Sequence, residues 1–113
     1  MTVVLLGRDL IFASRVHEAG VRAGTRVTRV DDPGVLPPAT SVRLLLVDWG
    51  DRLPDWGDRL VEWCAGAPES ARPRMVLFGP HTDLAAHAAA RAAGLGPMWA
   101  RSKLVRELPN LFA

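Results

Sequence analysis

Residues 42–48 read Val-Arg-Leu-Leu-Leu-Val-Asp, an almost unbroken aliphatic run that ends on a carboxylate. A run of this kind is typical of a strand covered on both faces, because a strand with one wet face would alternate apolar and polar residues. Apolar runs also occur at 3–6 and 74–78, residues 25–30 alternate with period two, and a short strand is expected at 97–100. The pattern therefore predicts five strands, of which the strand at 42–47 is the most hydrophobic.

Helical patterns separate most of these strands. The spacing of apolar residues predicts four helices, at 10–20 (extending as far as 24), 56–64, 84–93 and 103–112. Asp9 is placed to cap the first helix, Thr82 or Asp83 the third and Ser102 the last, since short polar side chains satisfy the free amides of a first turn.

Strands and helices alternate along the chain except between the second and third strands. There a turn at Asp31-Asp32-Pro33-Gly34 and the pair Pro37-Pro38 leave no room for a full helix. Alternation of this kind predicts an α/β fold, with a parallel sheet covered on both sides by right-handed crossovers. We expect one domain over residues 1–113, with an open, doubly wound, five-stranded sheet in the order 2-1-3-4-5 and a reduced or missing helix between strands 2 and 3.

The composition narrows the possible partners. The chain is 49% apolar and 23% charged, with a net charge of +2, and no apolar run is long enough to span a membrane. Thirteen of its 14 basic residues are arginines scattered among acids, so a nucleic-acid surface is not expected. One cysteine, Cys64, cannot form an internal disulfide, which favours a reducing cytoplasm.

A site in such a sheet lies at the carboxyl ends of the strands. Asp48 ends the most hydrophobic strand and is the first candidate for a working carboxylate. The alternative is that Asp48 only caps the turn that follows it. The other strand ends bring candidate pocket residues to the same edge: Arg8, Asp9, His81, Thr82, Arg101, Ser102 and Lys103.

In its layout, along nearly its whole length, the chain resembles the receiver domains of two-component response regulators. The resemblance implies that Asp48, in Leu-Leu-Leu-Val-Asp-Trp, matches the aspartate that accepts a phosphoryl group, with Pro54 in the following loop. It also implies a pair of acids after the first strand that holds Mg²⁺, a Thr or Ser after the fourth strand, and a Lys-Pro after the fifth. These parts neutralise and position the phosphoryl oxygens.

The remaining positions depart from that pattern. The acid pair is matched by Gly7 and Arg8, with Asp9 one place later, and the hydroxyl position by Gly79, although Thr82 is near. Since Arg8 would repel Mg²⁺, the resemblance implies a degenerate, or pseudo-, receiver.

The lysine position falls on Arg101, with Ser102 in place of proline. The one lysine, Lys103, would reach this position only if the preceding turn absorbed two residues, and we expect Arg101 to occupy it. A guanidinium pairs readily with carboxylates, so we hypothesise a standing ion pair between Asp48 and Arg101 or Arg8. In the alternative, both arginines extend into solvent.

Two further groups carry weaker signals. His81, Asp83 and His87 lack the ligand number and support of a zinc site, so no metal site is predicted. The four tryptophans contribute a large apolar surface for a chain of this size. We expect most of it to pack in the core and the remainder to form a protein interface. The interface candidates are Trp49, Trp56, Trp63 and Trp99.

The sequence leaves three functions open. We expect a non-catalytic regulatory or protein-interaction module, not an enzyme, acting without a cofactor as a homodimer or as the partner of another protein. The first alternative is a stand-alone receiver that accepts a phosphoryl group on Asp48 with Mg²⁺. The second is a small ligand-binding or enzyme domain that uses a cleft formed by Asp48, His81 and Arg101.

Overall fold

The computed structural model describes residues 2–113, which form one parallel sheet flanked by helices. In chain order its strands and α-helices are β1 (Thr2–Leu6), α1 (Leu10–Arg22), β2 (Val27–Val30), β3 (Val42–Asp48), α2 (Trp56–Ala65), β4 (Arg74–Gly79), α3 (Leu84–Ala92), β5 (Met98–Ala100) and α4 (Arg101–Phe112). No helix within the described residues is both long and apolar enough to cross a bilayer.

The strand order is β2-β1-β3-β4-β5, and every neighbouring pair is parallel. This confirms the predicted α/β fold. The register pairs Leu6 with Val47, Asp48 with Phe78 and Phe78 with Trp99, so the carboxyl ends of the central strands meet at one edge. Asp48 therefore stands in the middle of that edge.

The aliphatic run of β3 is buried on both faces, as its composition predicts. Leu44 and Leu46 pack into one apolar cluster, which α1 and α4 cover. Leu45 and Val47 pack into a second cluster on the opposite face, which α2 and α3 cover. Because both faces of β3 are dry, the strand needs no polar residue until it reaches the edge of the sheet at Asp48.

The connection from β2 to β3 contains two short 3₁₀ turns, at Pro33–Val35 and Ala39–Ser41, in place of a helix. The reduced helix is thus confirmed. The prolines of this segment restrict its backbone, and the segment is held through its contacts with α2. The indole Nε1 of Trp63 donates to the Pro37 carbonyl at 2.7 Å, and Arg59 forms a salt bridge with Asp32 at 3.1 Å.

The predicted helix caps are confirmed for two helices and wrong for the last. Asp9 and Asp83 each accept a hydrogen bond at 3.0 Å from an amide of the helix that follows, so Asp83 rather than Thr82 is the cap of α3. Ser102 is not a cap, because β5 continues directly into α4 and Ala100 occupies the capping position. Arg101, as the first helical residue, is consequently held close to the sheet edge.

Two strands begin later than predicted. β2 begins at Val27, because the Thr25 amide donates to the Gly20 carbonyl at 2.7 Å and so closes the end of α1 instead of extending the strand. β5 begins at Met98 rather than at residue 97.

Candidate functional site

Asp48 is a buried carboxylate at the centre of the carboxyl edge. It is 1% exposed, the only buried charged residue within residues 2–113. Gly7, at the end of β1, lies directly against it: a Cβ at Gly7 would be 3.1 Å from the Asp48 Cβ. That approach gives a physical reason for glycine at one position of the expected acid pair.

Arg101 joins two carboxylates of this edge. Its Nη2 donates to Asp48 Oδ2 at 3.1 Å and its Nη1 donates to Asp9 Oδ2 at 3.2 Å. The guanidinium also stacks 4.9 Å above the ring of Phe12 and 6.0 Å from that of Phe78. Two hydrogen bonds and aromatic faces hold a planar group in one orientation, which a lysine could not match. The hypothesised pair of Asp48 with Arg101 is present in the structure.

Arg8 forms no hydrogen bond or salt bridge with Asp48. Its Nε donates to Asp51 Oδ2 at 3.2 Å and its Nη2 donates to the Asp51 carbonyl at 3.0 Å. Asp51 was not among the candidate residues from sequence. The sequence feature that could have identified it is its position three residues after Asp48, in the turn that follows β3. Because Arg8 and Asp51 are both about half exposed, their pair closes the rim of the site without stabilising its centre.

Burial and ion pairing oppose each other at Asp48. Burial raises the pKa of Asp48 above its ordinary value, the Arg101 charge and hydrogen bond lower it, and the net shift is upward. The pKa of Asp9 is lowered by its hydrogen bond from the Phe12 amide and by Arg101. Within residues 2–113, Asp48 Oδ1 and Arg101 Nε have no hydrogen-bond partner. The buried pair is therefore only partly satisfied.

His81 and Thr82 were predicted as pocket residues, and the structure places both outside the cleft at Asp48. This cleft, of about 350 Å³, is lined by Arg8, Asp9, Asp48, Gly50, Asp51, Pro80 and Arg101. His81 and Thr82 are exposed on the turn after β4, where the His81 carbonyl lies 2.9 Å from His87 Nε2. The turn to α3 leads them away, since Pro80 is the last residue of that segment to reach the cleft.

Ser102 and Lys103 also lie outside the cleft, contrary to the prediction. Ser102 lines a groove between α1 and α4. The Lys103 ammonium lies 4.5 Å from the centre of the Trp99 ring. Because α4 begins at Arg101, the next two side chains point around the helix and away from Asp48. Arg101 rather than Lys103 occupies the position that faces the aspartate.

Two of the four tryptophans proposed for an interface are in the core. Trp49 is 2% exposed and Trp56 is fully buried, so neither is accessible to a partner. The Trp49 indole Nε1 also donates to the Ala86 carbonyl of α3 at 2.9 Å. Trp63 and Trp99 are half-buried. The seven-residue spacing of the first three tryptophans thus reflects packing of α2 and its preceding turn against the sheet.

The residues at this edge do not suit the magnesium ion that a receiver fold implies. Mg²⁺ is bound by carboxylates and water in a near-octahedral shell, whereas Asp9 and Asp48 both bond the Arg101 guanidinium. Gly7 supplies no side chain and Arg8 supplies a positive charge. Within the described part of the chain, no group of three or more His, Cys, Asp or Glu side chains is placed to hold a metal.

Comparison with known proteins establishes the fold. No protein-family model matches the chain, and no curated protein matches it. Among solved structures it is similar to a response regulator receiver domain from Rhodospirillum rubrum, with a TM-score of 0.64 and 19% sequence identity, over 99% of this chain and 91% of that one. At this identity the likeness concerns architecture, and the protein has a receiver-like fold.

Proposed function

We propose that this protein is a non-catalytic, receiver-like regulatory or interaction module whose aspartate site is held in one state by Arg101. The observation that carries the proposal is the Arg101 guanidinium, which bonds Asp48 and Asp9 at the same time. The chain would act by binding another protein or a second copy, with no enzymatic activity and no cofactor. Cys64, the one cysteine of the sequence, supports a location in the reducing cytoplasm.

The charge balance of the edge supports this proposal. A metal ion at Asp48 would have to displace a guanidinium that lies between two carboxylates and against the ring of Phe12. The guanidinium would lose two hydrogen bonds and its contact with the aromatic ring, and its own positive charge would repel an approaching cation. The pair therefore resists both metal entry and the release of Asp48 as a nucleophile.

Sterics at the end of β1 support it as well. An aspartate at position 7 would place its Cβ 3.1 Å from that of Asp48, closer than ordinary contact. Arg8, the other position of the expected acid pair, is committed to Asp51. A full set of receiver-like acids and lysine would thus require changes at positions 7, 8 and 101, of which Arg8 and Arg101 line the cleft.

A phospho-accepting receiver remains the second candidate, and one observation favours it. Asp48 Oδ1 has no hydrogen-bond partner within residues 2–113, so one carboxylate oxygen is not committed to a protein donor. The third reading, a cleft that combines Asp48, His81 and Arg101, loses its histidine, because His81 does not line the cleft.

Phosphorylation distinguishes the two candidates. The full chain is incubated with MgCl₂ and acetyl phosphate, and the products are followed by intact-mass spectrometry. We expect no phosphoryl adduct on the wild type. An adduct on the wild type that is absent from Asp48→Asn would overturn the proposal.

A variant with the charge pattern of a receiver provides the matched comparison. In Arg8→Asp/Arg101→Lys, the guanidinium is replaced by a flexible ammonium and a carboxylate is added beside Asp48. We expect this variant to bind Mg²⁺ more tightly than the wild type in a calorimetric titration, because a carboxylate replaces the Arg8 charge and the ammonium at position 101 is not fixed between Asp9 and Asp48. Equal affinities for Mg²⁺ would show that Arg8 and Arg101 do not control access to the cleft.

A further inference from the structure

A continuous groove runs between α1 and α4 on the side of the sheet that carries Arg101. It comprises two adjoining cavities of about 510 and 470 Å³, which share Arg15 and Val105 as lining residues. The groove extends from Arg101 and Phe12 at the carboxyl edge of the sheet to Pro109 near the end of α4.

Side chains of both helices line the groove in regular rows. On α1, Arg15, Glu18 and Arg22 follow one another at helical spacing. Val105 on the α4 side is 41% exposed although it is a large aliphatic residue, and Ala19, Ala23 and Leu108 complete the apolar lining. Together they give the groove an accessible apolar lining with charged residues along its α1 rim.

Positive charge exceeds negative charge along this rim, where Glu18 lies between Arg15 and Arg22. Arg15 and Arg22 form no salt bridge or side-chain hydrogen bond in residues 2–113, and Glu18 is the one acid among the lining residues. Arg8, Arg59 and Arg101, by contrast, are each paired with a carboxylate. An occupant with carboxylates opposite Arg15 and Arg22 would therefore supply missing partners.

We infer that this groove binds an amphipathic helix of a partner protein, with aliphatic residues on one face and acidic residues flanking them. The lining residues of α1 extend from Phe12 to Arg22, about 15 Å along the helix, which matches nearly three turns of a docked helix. A second copy fits less well, because a twofold contact would bring the same two unpaired arginines to both sides of the interface.

This inference rests on the interaction role proposed above and names the class of partner. Its failure would be distinguishable from failure of the Asp48 proposal. Loss of peptide binding would leave the absence of phosphorylation unchanged, and phosphorylation of Asp48 would leave the groove in place.

The test measures binding of designed helical peptides by fluorescence anisotropy. The probe is a fluorescein-labelled peptide with leucines on one face and glutamates beside them, and the control carries lysines in place of the glutamates. We expect the wild type to bind the acidic peptide, and Arg15→Glu/Arg22→Glu to bind it about tenfold more weakly or not at all. Arg74→Glu/Arg91→Glu is the matched control, because it changes the net charge equally at exposed positions on β4 and α3.

Further measurements locate the binding and exclude other occupants. Amide chemical shifts should move for residues of α1 and α4, circular dichroism should show both double variants folded, and light scattering should show a monomer without peptide. The inference is overturned if both double variants bind the acidic peptide equally, if wild type does not bind it, or if the shifts lie elsewhere. A dimer that Arg15→Glu/Arg22→Glu abolishes would also overturn it in favour of a second copy. Binding to phosphatidylserine vesicles with no binding to the acidic peptide would do so in favour of a lipid surface.

Discussion

Replacing Arg101 with methionine tests the ion pair at the centre of the site. Methionine keeps an unbranched apolar stem against Phe12 and removes the charge that compensates Asp48. The Asp48 side chain is 2% exposed and that of Arg101 is 38% exposed. A surface pair contributes up to about 1 kcal/mol, and breaking a fully buried pair costs about 3–5 kcal/mol. For this half-buried pair we expect Arg101→Met to lower the free energy of unfolding by about 2 kcal/mol at pH 7.

The loss should depend on pH in a defined direction. Without Arg101, burial is opposed by less positive charge, so the pKa of Asp48 rises further above its ordinary value. A carboxyl whose folded pKa exceeds its unfolded pKa binds more protons in the folded state, so stability falls as pH rises through that interval. The deficit of Arg101→Met should therefore be largest near neutral pH and shrink towards the unfolded pKa of aspartate, at about 4.

Urea denaturation of four proteins measures these effects: the wild type, Arg101→Met, Asp48→Asn and the double variant. In the Asp48→Asn background, the loss of unfolding free energy caused by Arg101→Met should be smaller than in the wild type by at least about 1 kcal/mol, because no buried charge is left unpaired. The reasoning is refuted if Arg101→Met costs the same in both backgrounds. It is also refuted if the deficit of Arg101→Met grows as the pH falls from 7 to 5.

The remaining predictions concern packing and backbone, and are measured by urea or thermal unfolding. Trp49→Phe should lower the free energy of unfolding by about 1 kcal/mol more than Trp56→Phe. The Trp49 indole donates a hydrogen bond at 2.9 Å, whereas the buried Trp56 Nε1 has no partner in residues 2–113. A larger loss for Trp56→Phe would contradict this. Gly20→Ala should cost about 1–3 kcal/mol, because its methyl would lie 2.6 Å from a backbone carbonyl. The methyl of Gly57→Ala would meet another methyl at 3.3 Å, so the stability of this variant should stay within about 1 kcal/mol of the wild type. Equal losses of stability for Gly20→Ala and Gly57→Ala would refute the comparison. Gly94→Ala should cost about 1 kcal/mol because φ is +74° there; an unchanged melting temperature would count against it.

Much of the fold could be predicted because its signals are local. The aliphatic run of β3, the prolines after β2 and the capping aspartates Asp9 and Asp83 each act on neighbouring backbone, so their consequences can be read from a few residues. The strand order follows from these elements, because right-handed crossovers leave few arrangements of five parallel strands. The start of α4 was missed because strand and helix meet without a loop, and no turn residue marks the boundary.

The sequence by itself determined that Asp48 ends the central strand and that Gly7 and Arg8 stand where acids were expected, and it left both Arg101 and Lys103 as candidates for the position after the last strand. Only the tertiary structure decided which arginine pairs with Asp48. Arg101 and Arg8 are equally charged and both follow strands of the same edge, so composition and spacing cannot separate them. Arg101 reaches Asp48 because the first turn of α4 aims its guanidinium between Asp9 and Asp48, whereas Arg8 bonds Asp51 at the rim.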